Sequence, residues 1–314
     1  MFDKPVNDTI AIPPDKMPKT LYHYTTWAGA QGIISSQKFW ATAHNCTNDR
    51  AELVAADEII IKTARDLRRN AVYPAAGVLD LFLENYASEQ VTLVIPVYLT
   101  CFSILRDNRE QWRRYGEAGR GICLGVRILN ETKAQVPELG DGLVRVDYSE
   151  VSWREKIKVN MGKVCSLLSY RYASMTHKKL ALSALYRIAA FASIMAKQPV
   201  WEAEMEFRHV TIVHPNIQVE PKEREAGGRT IRYLPVSLRD SGKQIVFAEI
   251  ITGPNQNVEV ARERLNYVLS QAGYGLGDLE YPEIVASEVT PWESPEAPGD
   301  LERQEEPEQR NINT

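Results

Sequence analysis

The stretch LYHYT, Leu21–Thr25, is the strongest local indicator of the fold. Its alternating residues predict a short β-strand, and TWAGAQGIISS directly after it has the apolar spacing of a helix. Alternation places Tyr22 and Tyr24 on one face of the strand and His23 and Thr25 on the other. A histidine beside tyrosines and hydroxyls combines hydrogen-bonding groups with aromatic surface. LYHYT therefore predicts one wall of a ligand site, and the alternative is a core histidine bonded to a backbone carbonyl.

Further strand-like segments lie on both sides of a helical middle. The predicted strands are KFWAT (38–42), VTLVIPVYLTCFS (91–103), GICLGVRIL (121–129), MEFRHVTIV (205–213), TIRYLPVSL (230–238) and QIVFAEIITG (244–253). The predicted helices cover residues 49–69, 108–119, 156–197 and 257–273. Strands and helices do not alternate regularly, which predicts an α+β fold. Because neither GxGxxG nor GxxxxGK[ST] occurs, a Rossmann or P-loop phosphate site is excluded.

Composition indicates one globular domain. The 314 residues are 44% hydrophobic, and no apolar run is long enough to span a membrane. We expect residues 1–19 to form an N-terminal arm, 20–292 a single domain and 293–314 a disordered acidic tail. The N-terminus lacks the basic start and apolar run of a secretion signal. Four widely spaced cysteines without a CxxC pair argue against a zinc site and disulfides, so we expect a cytoplasmic protein.

The net charge of −4 is unevenly distributed along the chain. The tail from residue 293 carries seven acidic residues and two arginines. Residues 151–190 carry eight basic residues against Glu155 alone. This basic stretch predicts either a solvated helix face or a surface for phosphate or nucleic acid.

The segment after KFWAT has turn and cap signals. Asn48 and Asp49 predict a turn and a helix cap, and Glu52 stands at capping-box spacing from Asp49. Capping explains these residues without a catalytic role. His44 and Cys46 before them lack a third partner for a metal site.

CFS, Cys101–Ser103, ends a predicted strand and opens into a loop. The helix that follows presents Trp112 and Tyr115 three residues apart, on one face. A serine and two aromatics at this point suit a flat ligand. The alternative is a pair of core aromatics beneath a helix.

WEAEMEFRHV, from Trp201, is rich in charge just before an apolar strand. An extended chain would place Glu204, Glu206 and Arg208 on one face. Two parallel carboxylates repel and raise one pKa unless a cation or ligand offsets the charge, which favours a functional site. The alternative is an exposed strand edge neutralised by Arg208.

Taken in order, these segments resemble a mostly bacterial family called domain of unknown function 2971. The family pattern corresponds here to LYHYT, FWAT with TNDRAE, CFS, Trp112 with Tyr115, GICLGV and WEAEMEFR. The resemblance extends over about Leu21–Trp292 and includes EIITGP at Glu249–Pro254. Arg50 stands where the family usually has proline, which affects only the turn.

The layout is also similar to that of a divergent ADP-ribosyltransferase of the His–Tyr–Glu type. This resemblance implies a split β-sheet core with inserted helices, NAD as the substrate and no metal. It makes His23 the holder of the ribose hydroxyls, Glu206 the catalytic carboxylate and Glu204 a residue that orients the acceptor. Trp40 or Thr42 would line the nicotinamide pocket, and Trp40, Tyr24 or Tyr115 would stack on the ring. The other residues expected to bind NAD are Thr25, Ser103, Trp112 and Arg208.

The implied activity is ADP-ribosyl transfer to a protein or a nucleic acid by a bacterial toxin, effector or antiphage component. An antitoxin or another regulatory protein is an expected partner, and a membrane is not. Breaking an N-glycosidic bond needs a fixed carboxylate near the positive charge that develops on C1′, which agrees with the role given to Glu206. The alternatives are an NAD glycohydrolase with the same residues and a non-catalytic nucleotide-sensing or partner-binding module.

Overall fold

The computed structural model describes residues 18–46, 51–86, 97–128, 141–168, 174–213, 220–226, 228–236, 245–276 and 280–292. These contain ten strands: β1 (Thr20–Thr25), β2 (Phe39–Ala43), β3 (Val97–Ser103), β4 (Ile122–Arg127), β5 (Asp141–Arg145), β6 (Glu206–Ile212), β7 (Lys222–Ala226), β8 (Arg229–Val236), β9 (Phe247–Thr252) and β10 (Glu283–Ala286). They also contain the helices α1 (Trp27–Ser36), α2 (Ala51–Asn70), α3 (Ala75–Asn85), α4 (Arg109–Tyr115), α5 (Glu150–Leu168), α6 (Met175–Met195) and α7 (Val258–Gln271).

The strands form one sheet that divides along an edge of β3. One edge of β3 pairs with β6 along its whole length. The other edge is shared, because β2 pairs with it at Tyr98 and Leu99 and β1 pairs with it at Ser103. β1 continues outward through β4, β9 and β10, β2 continues through β8 and β7, and β5 extends the sheet from β6. A gap therefore separates β1 from β2 beside Cys101.

Apolar side chains on one face of the sheet pack beneath α1 and α7. Leu21, Phe39, Ile34 and Leu265 represent this core, and each has at most 1% of its surface exposed. Burial of each such side chain contributes roughly 1.5–3 kcal/mol. Because α1 connects β1 to β2, this packing fixes the two strands on either side of the gap.

The helices inserted between strands pack together as a separate layer. α2 and α3 follow β2, α5 and α6 follow β5, and all four contribute to one apolar cluster around Phe82 and Met161. The C-terminal part of α6 leaves that layer, and Phe191 and Ile194 pack on Val210 of β6. α6 therefore directs the residues after it onto the sheet face that carries β6.

The expected α+β class is confirmed, and the predicted strands and helices are present near their expected bounds wherever the structure describes them. Residues 156–197 were expected to be helical and contribute to α5 and α6, while β5, β7, β10 and α3 were not predicted. The predicted cap at Asn48 and Asp49, residues 1–17, residues 91–96 and the tail from 293 lie outside the described residues. Across the described segments, the helices are all too short or too polar to cross a bilayer.

Candidate functional site

His23 lies at the gap in the sheet. Its Nδ1 is 2.9 Å from the carbonyl oxygen of Cys101, and because a carbonyl only accepts, Nδ1 carries the proton. Its ring packs edge-on against Phe39 and is tilted against Phe102. Burial lowers the pKa of His23, and the charge of Arg224 lowers it further. His23 is therefore neutral at pH 7, with Nε2 as a hydrogen-bond acceptor.

Cys101 lies on the floor of this gap. β3 is buried at every residue except Cys101, whose side chain is exposed between buried neighbours. Surrounding protein nevertheless raises the pKa of the thiol well above its ordinary value, and the negative charge of Glu206 adds to the shift. We call the gap between β1 and β2 over Cys101 the cleft.

Trp40 borders the cleft on the side of β2. Its ring centroid is 5.4 Å from that of Tyr233 on β8. The Arg224 guanidinium on β7 stands 5.5 Å from the Trp40 ring centroid and 5.9 Å from that of Tyr233. The side chains of Trp40, Tyr233 and Arg224 are each half-buried, so they form a wall that a ligand in the cleft can contact.

On the other side of Cys101 lies a buried ionic group that we call the carboxylate cluster: Glu204, Glu206, Lys197 and Arg208. Lys197 Nζ is 2.6 Å from Glu204 Oε2 and 2.9 Å from Glu206 Oε2. Arg208 donates Nε to Glu206 Oε1 at 2.8 Å and Nη2 to Oε2 at 3.1 Å. All four side chains are at most 8% exposed. Two positive and two negative charges balance, which burial requires.

Glu206 is ionised at pH 7. Burial alone would raise its pKa, but the charges of Arg208 and Lys197 outweigh burial and lower the pKa from 4.5 to about 2. A carboxylate has about four lone-pair positions, and Lys197 and Arg208 use three of them. The Cys101 thiol is also hydrogen-bonded to this carboxylate. Since a thiol is a weak donor, a ligand hydroxyl can replace it there.

The predicted pair Glu204 and Glu206 is brought together, but not by one strand. Glu204 ends a 3-10 helix, Pro199–Glu204, and Met205 then turns the chain in the left-handed conformation at φ 46°. Only Glu206 and Arg208 belong to β6, so the expectation of three side chains on one extended face is wrong for Glu204. The turn still brings both carboxylates to Lys197.

Ser103 and Tyr115 hold the cluster in place. The Tyr115 hydroxyl donates to Glu204 Oε1 at 2.7 Å, and the Ser103 hydroxyl donates to the Glu204 backbone carbonyl at 2.7 Å. Ser103 is 2% exposed and Tyr115 is 38% exposed. Tyr115 is thus accessible to a ligand, whereas Ser103 has a supporting position.

His23 and Glu206 approach Cys101 from different faces of the sheet. The register pairs Ser103 with Glu206 and Phe102 with Phe207, so Glu206 lies on the face opposite to Phe102. His23 contacts Phe102 and reaches the Cys101 main chain, whereas Glu206 reaches its thiol. A single ligand can contact both only within the gap.

Two predicted ligand contacts are corrected by the structure. Trp112 is 0% exposed and Tyr24 is 6% exposed, and their rings pack edge-to-face at 4.9 Å. The Trp112 indole donates to Asp107, and the Tyr24 hydroxyl donates to the carbonyl of Leu105. Both are core aromatics, which for Trp112 was the alternative to a role in binding.

Thr25 and Thr42 have intermediate exposure. Thr25 lies against α1, where a Cβ on Gly29 would stand 2.2 Å from the threonine hydroxyl. Thr42 pairs with Leu99 on one side and Tyr233 on the other. Thr42 therefore stays close to the Tyr233 wall, and Thr25 marks the side of the cleft formed by β1.

Sequence reasoning missed Lys197, Tyr148 and Arg224. Lys197 comes directly after α6, and Tyr148 accepts the backbone N–H of Glu206 at 2.9 Å. The one available signal for Lys197 was physical, because a buried pair of carboxylates requires a cation. Arg224 lies in the polar segment KEREA, where no apolar alternation predicts a strand.

The basic stretch lies on the inserted helices. Some of its charges are paired, since Lys156 contacts Asp147 at 2.6 Å and Arg154 contacts Glu150 at 2.5 Å. Lys158 lines a cavity of about 480 Å³ between α2 and α5, separate from the cleft. Within the described segments, no three His, Cys, Asp or Glu side chains are placed to hold a metal ion.

A family model described as "Protein of unknown function (DUF2971)" matches residues 111–209. The chain is similar to that family there. The matched segment holds Tyr115 and all of the carboxylate cluster, whereas LYHYT and CFS precede it. Neither a curated protein nor a solved structure matches the chain.

Proposed function

We propose that the chain is an NAD-dependent ADP-ribosyltransferase whose substrate binds in the cleft. The observation that carries this proposal is the pairing of a neutral histidine acceptor with an ionised carboxylate on the two sides of Cys101. His23 Nε2 would accept a ribose hydroxyl. Glu206 would accept the 2′-hydroxyl of the same ribose in place of the Cys101 thiol.

ADP-ribosyl transfer needs a permanent negative charge beside the carbon on which positive charge develops. The bond between C1′ and the nicotinamide nitrogen breaks, nicotinamide leaves with the electron pair, and positive charge develops on C1′. The acceptor nucleophile then bonds to C1′ and releases a proton. A carboxylate with a pKa of about 2 stays charged throughout, and its fixed position means that it does not reorganise during the reaction.

The burial of the cluster also supports this proposal. A buried set of four charges is costly to maintain, and apolar residues of similar volume are often as stable. Its retention beside an accessible cleft is consistent with a functional carboxylate. Tyr115, which bonds Glu204 and is partly exposed, provides aromatic surface at the same site.

One observation favours the non-catalytic alternative, a nucleotide-sensing module. Lys197 and Arg208 already occupy both oxygens of Glu206, and the side chain is only 6% exposed. If a ribose hydroxyl cannot displace these contacts from Glu206, the cleft binds a nucleotide without turnover. NAD then raises the thermal midpoint of the protein but releases no nicotinamide.

The test uses NAD labelled in the nicotinamide or in the adenylate part, incubated with the full chain and a lysate of the expression host. We expect release of nicotinamide and transfer of the adenylate label to a macromolecule. The variants Glu206→Gln and His23→Ala lose release, and Glu206→Gln still shows the NAD-dependent rise in thermal midpoint. Glu283→Gln, on the exposed end of β10, is the matched control and keeps full release.

Unchanged nicotinamide release by Glu206→Gln would refute the proposal. Label found only as free ADP-ribose would replace it with an NAD glycohydrolase. Binding of NAD without any release would replace it with the sensing module.

A further inference from the structure

Arg224 has a setting that the proposed chemistry does not use. Its guanidinium lies near two aromatic rings, those of Trp40 and Tyr233. Cation–π contacts hold a guanidinium by its flat face and leave its N–H edge for an acceptor. Arg224 is therefore positioned without being neutralised.

The Nε–H of Arg224 lacks an acceptor among the described residues. Its Nε is buried and has no hydrogen-bond partner, and within the described part of the chain no carboxylate forms an ion pair with it. Glu223 and Glu225 are its neighbours in sequence, but strand alternation directs them to the opposite face of β7. A buried donor without an acceptor is uncommon, and a guanidinium is always charged. The position is thus open to an anion.

Arg224 belongs to the same cleft as His23. β2 pairs with β3 at Thr42 and Leu99, so the same register sets Trp40, which Arg224 contacts, across the gap from Cys101, whose carbonyl oxygen His23 Nδ1 contacts. The positive charge of Arg224 also acts on the His23 ring. An anion bound to Arg224 would therefore lie along the β2–β8–β7 wall, on the Trp40 side of the gap that His23 borders.

We propose that Arg224, positioned by Trp40 and Tyr233, binds the diphosphate of the nucleotide whose ribose lies at His23. This inference rests on the proposed function for its choice of a nucleotide. The chemistry favours a phosphate anion, because a guanidinium presents parallel N–H groups that match two phosphate oxygens. In this proposal Trp40 is a positioning residue for Arg224. This role is additional to the stacking on nicotinamide expected from the sequence.

The experiment measures binding to the full chain by isothermal titration calorimetry, with ADP-ribose and adenosine as probes. Adenosine has the base and a ribose but no phosphate. We expect Arg224→Gln to weaken ADP-ribose binding at least tenfold and to leave adenosine binding unchanged. Arg224→Lys keeps the charge but loses the planar fork, so its loss is smaller. Arg232→Gln, at an exposed position on the neighbouring strand β8, is the matched control and binds ADP-ribose normally.

Three results would overturn the inference. They are the absence of ADP-ribose binding to the unaltered chain, undiminished binding to Arg224→Gln, and an equal loss of adenosine and ADP-ribose affinity. If Arg224→Gln does not fold, undiminished binding to Arg224→Lys overturns it instead. Failure of the proposed function gives a different result. In that case ADP-ribose binding still depends on Arg224, but the chain releases no nicotinamide from NAD. If Arg224→Gln releases nicotinamide with an unchanged KM for NAD, the inference about Arg224 is overturned and the proposed function stands.

Discussion

Replacing Lys197 with methionine tests whether the carboxylate cluster depends on its shared cation. Lys197→Met keeps most of the side-chain volume but removes the charge within 2.9 Å of both Glu204 and Glu206. The four charges of the cluster then no longer cancel, and among the described residues Glu204 keeps only the Tyr115 hydroxyl and the Arg114 guanidinium, whose Nη1 is 4.0 Å from Glu204 Oε1. Removing one partner of a buried ion pair costs about 3–5 kcal/mol. The net shift of the Glu206 pKa from 4.5 to about 2, which remains after the opposing effect of burial, corresponds to about 3 kcal/mol.

We therefore expect Lys197→Met to lower the free energy of unfolding by about 3 kcal/mol at pH 7. Because the pKa of Glu206 is lowered in the folded protein, its contribution is fully present above pH 4.5 and is lost as the pH falls toward 2. The difference between the variant and the unaltered chain should accordingly shrink below pH 4.5. Urea unfolding at several pH values measures both effects.

Two further variants serve as a rescue and a control for this experiment. Lys197→Met combined with Glu204→Gln restores a neutral cluster and should regain more than about 1 kcal/mol, a coupling typical of residues in one network. Lys163→Met, at an exposed position on α5, should change stability by less than about 0.5 kcal/mol. A loss below about 1 kcal/mol for Lys197→Met, or no rescue by Glu204→Gln, would refute the reasoning.

Three other predictions concern the same site. Tyr115→Phe removes the hydroxyl that donates to Glu204 and should cost about 1.5–2 kcal/mol in urea unfolding, whereas a change within error would show that water replaces it. Cys101 is exposed but has a raised pKa, so alkylation at pH 8, followed by mass spectrometry, should be at least about tenfold slower than for free cysteine and slower again with NAD; a rate equal to free cysteine contradicts the cleft. Arg224→Gln should raise the pKa of His23 in an NMR titration, and an unchanged value would place the two side chains apart.

The elements that sequence predicted well are those whose pattern is local. LYHYT and MEFRHVTIV are rich in the aromatic and β-branched residues typical of strands, and Asn257 caps α7 through its own side chain. The strand KEREA, Lys222–Ala226, carries no such pattern because it pairs only with β8 among the described strands. Its assignment depends on a neighbour and not on its own residues.

The candidate site could likewise be predicted only where its residues are close in sequence. Glu204, Glu206 and Arg208 could be recognised from their spacing, but Lys197 joins them through the position of α6 on the sheet. Of the two interpretations of LYHYT, the structure shows the bond from His23 to a backbone carbonyl, and the role in a ligand site stays a prediction. Trp112 and Tyr24 looked like binding aromatics, yet both are buried in the core, and local sequence could not decide between the two roles.

A crystal structure of the chain soaked with NAD tests the central proposal most directly. We predict that one ribose lies in the gap between β1 and β2, within hydrogen-bonding distance of both His23 Nε2 and the Glu206 carboxylate. A nucleotide bound elsewhere, or one that touches His23 while Lys197, Arg208 and the Cys101 thiol still close off Glu206, would contradict it.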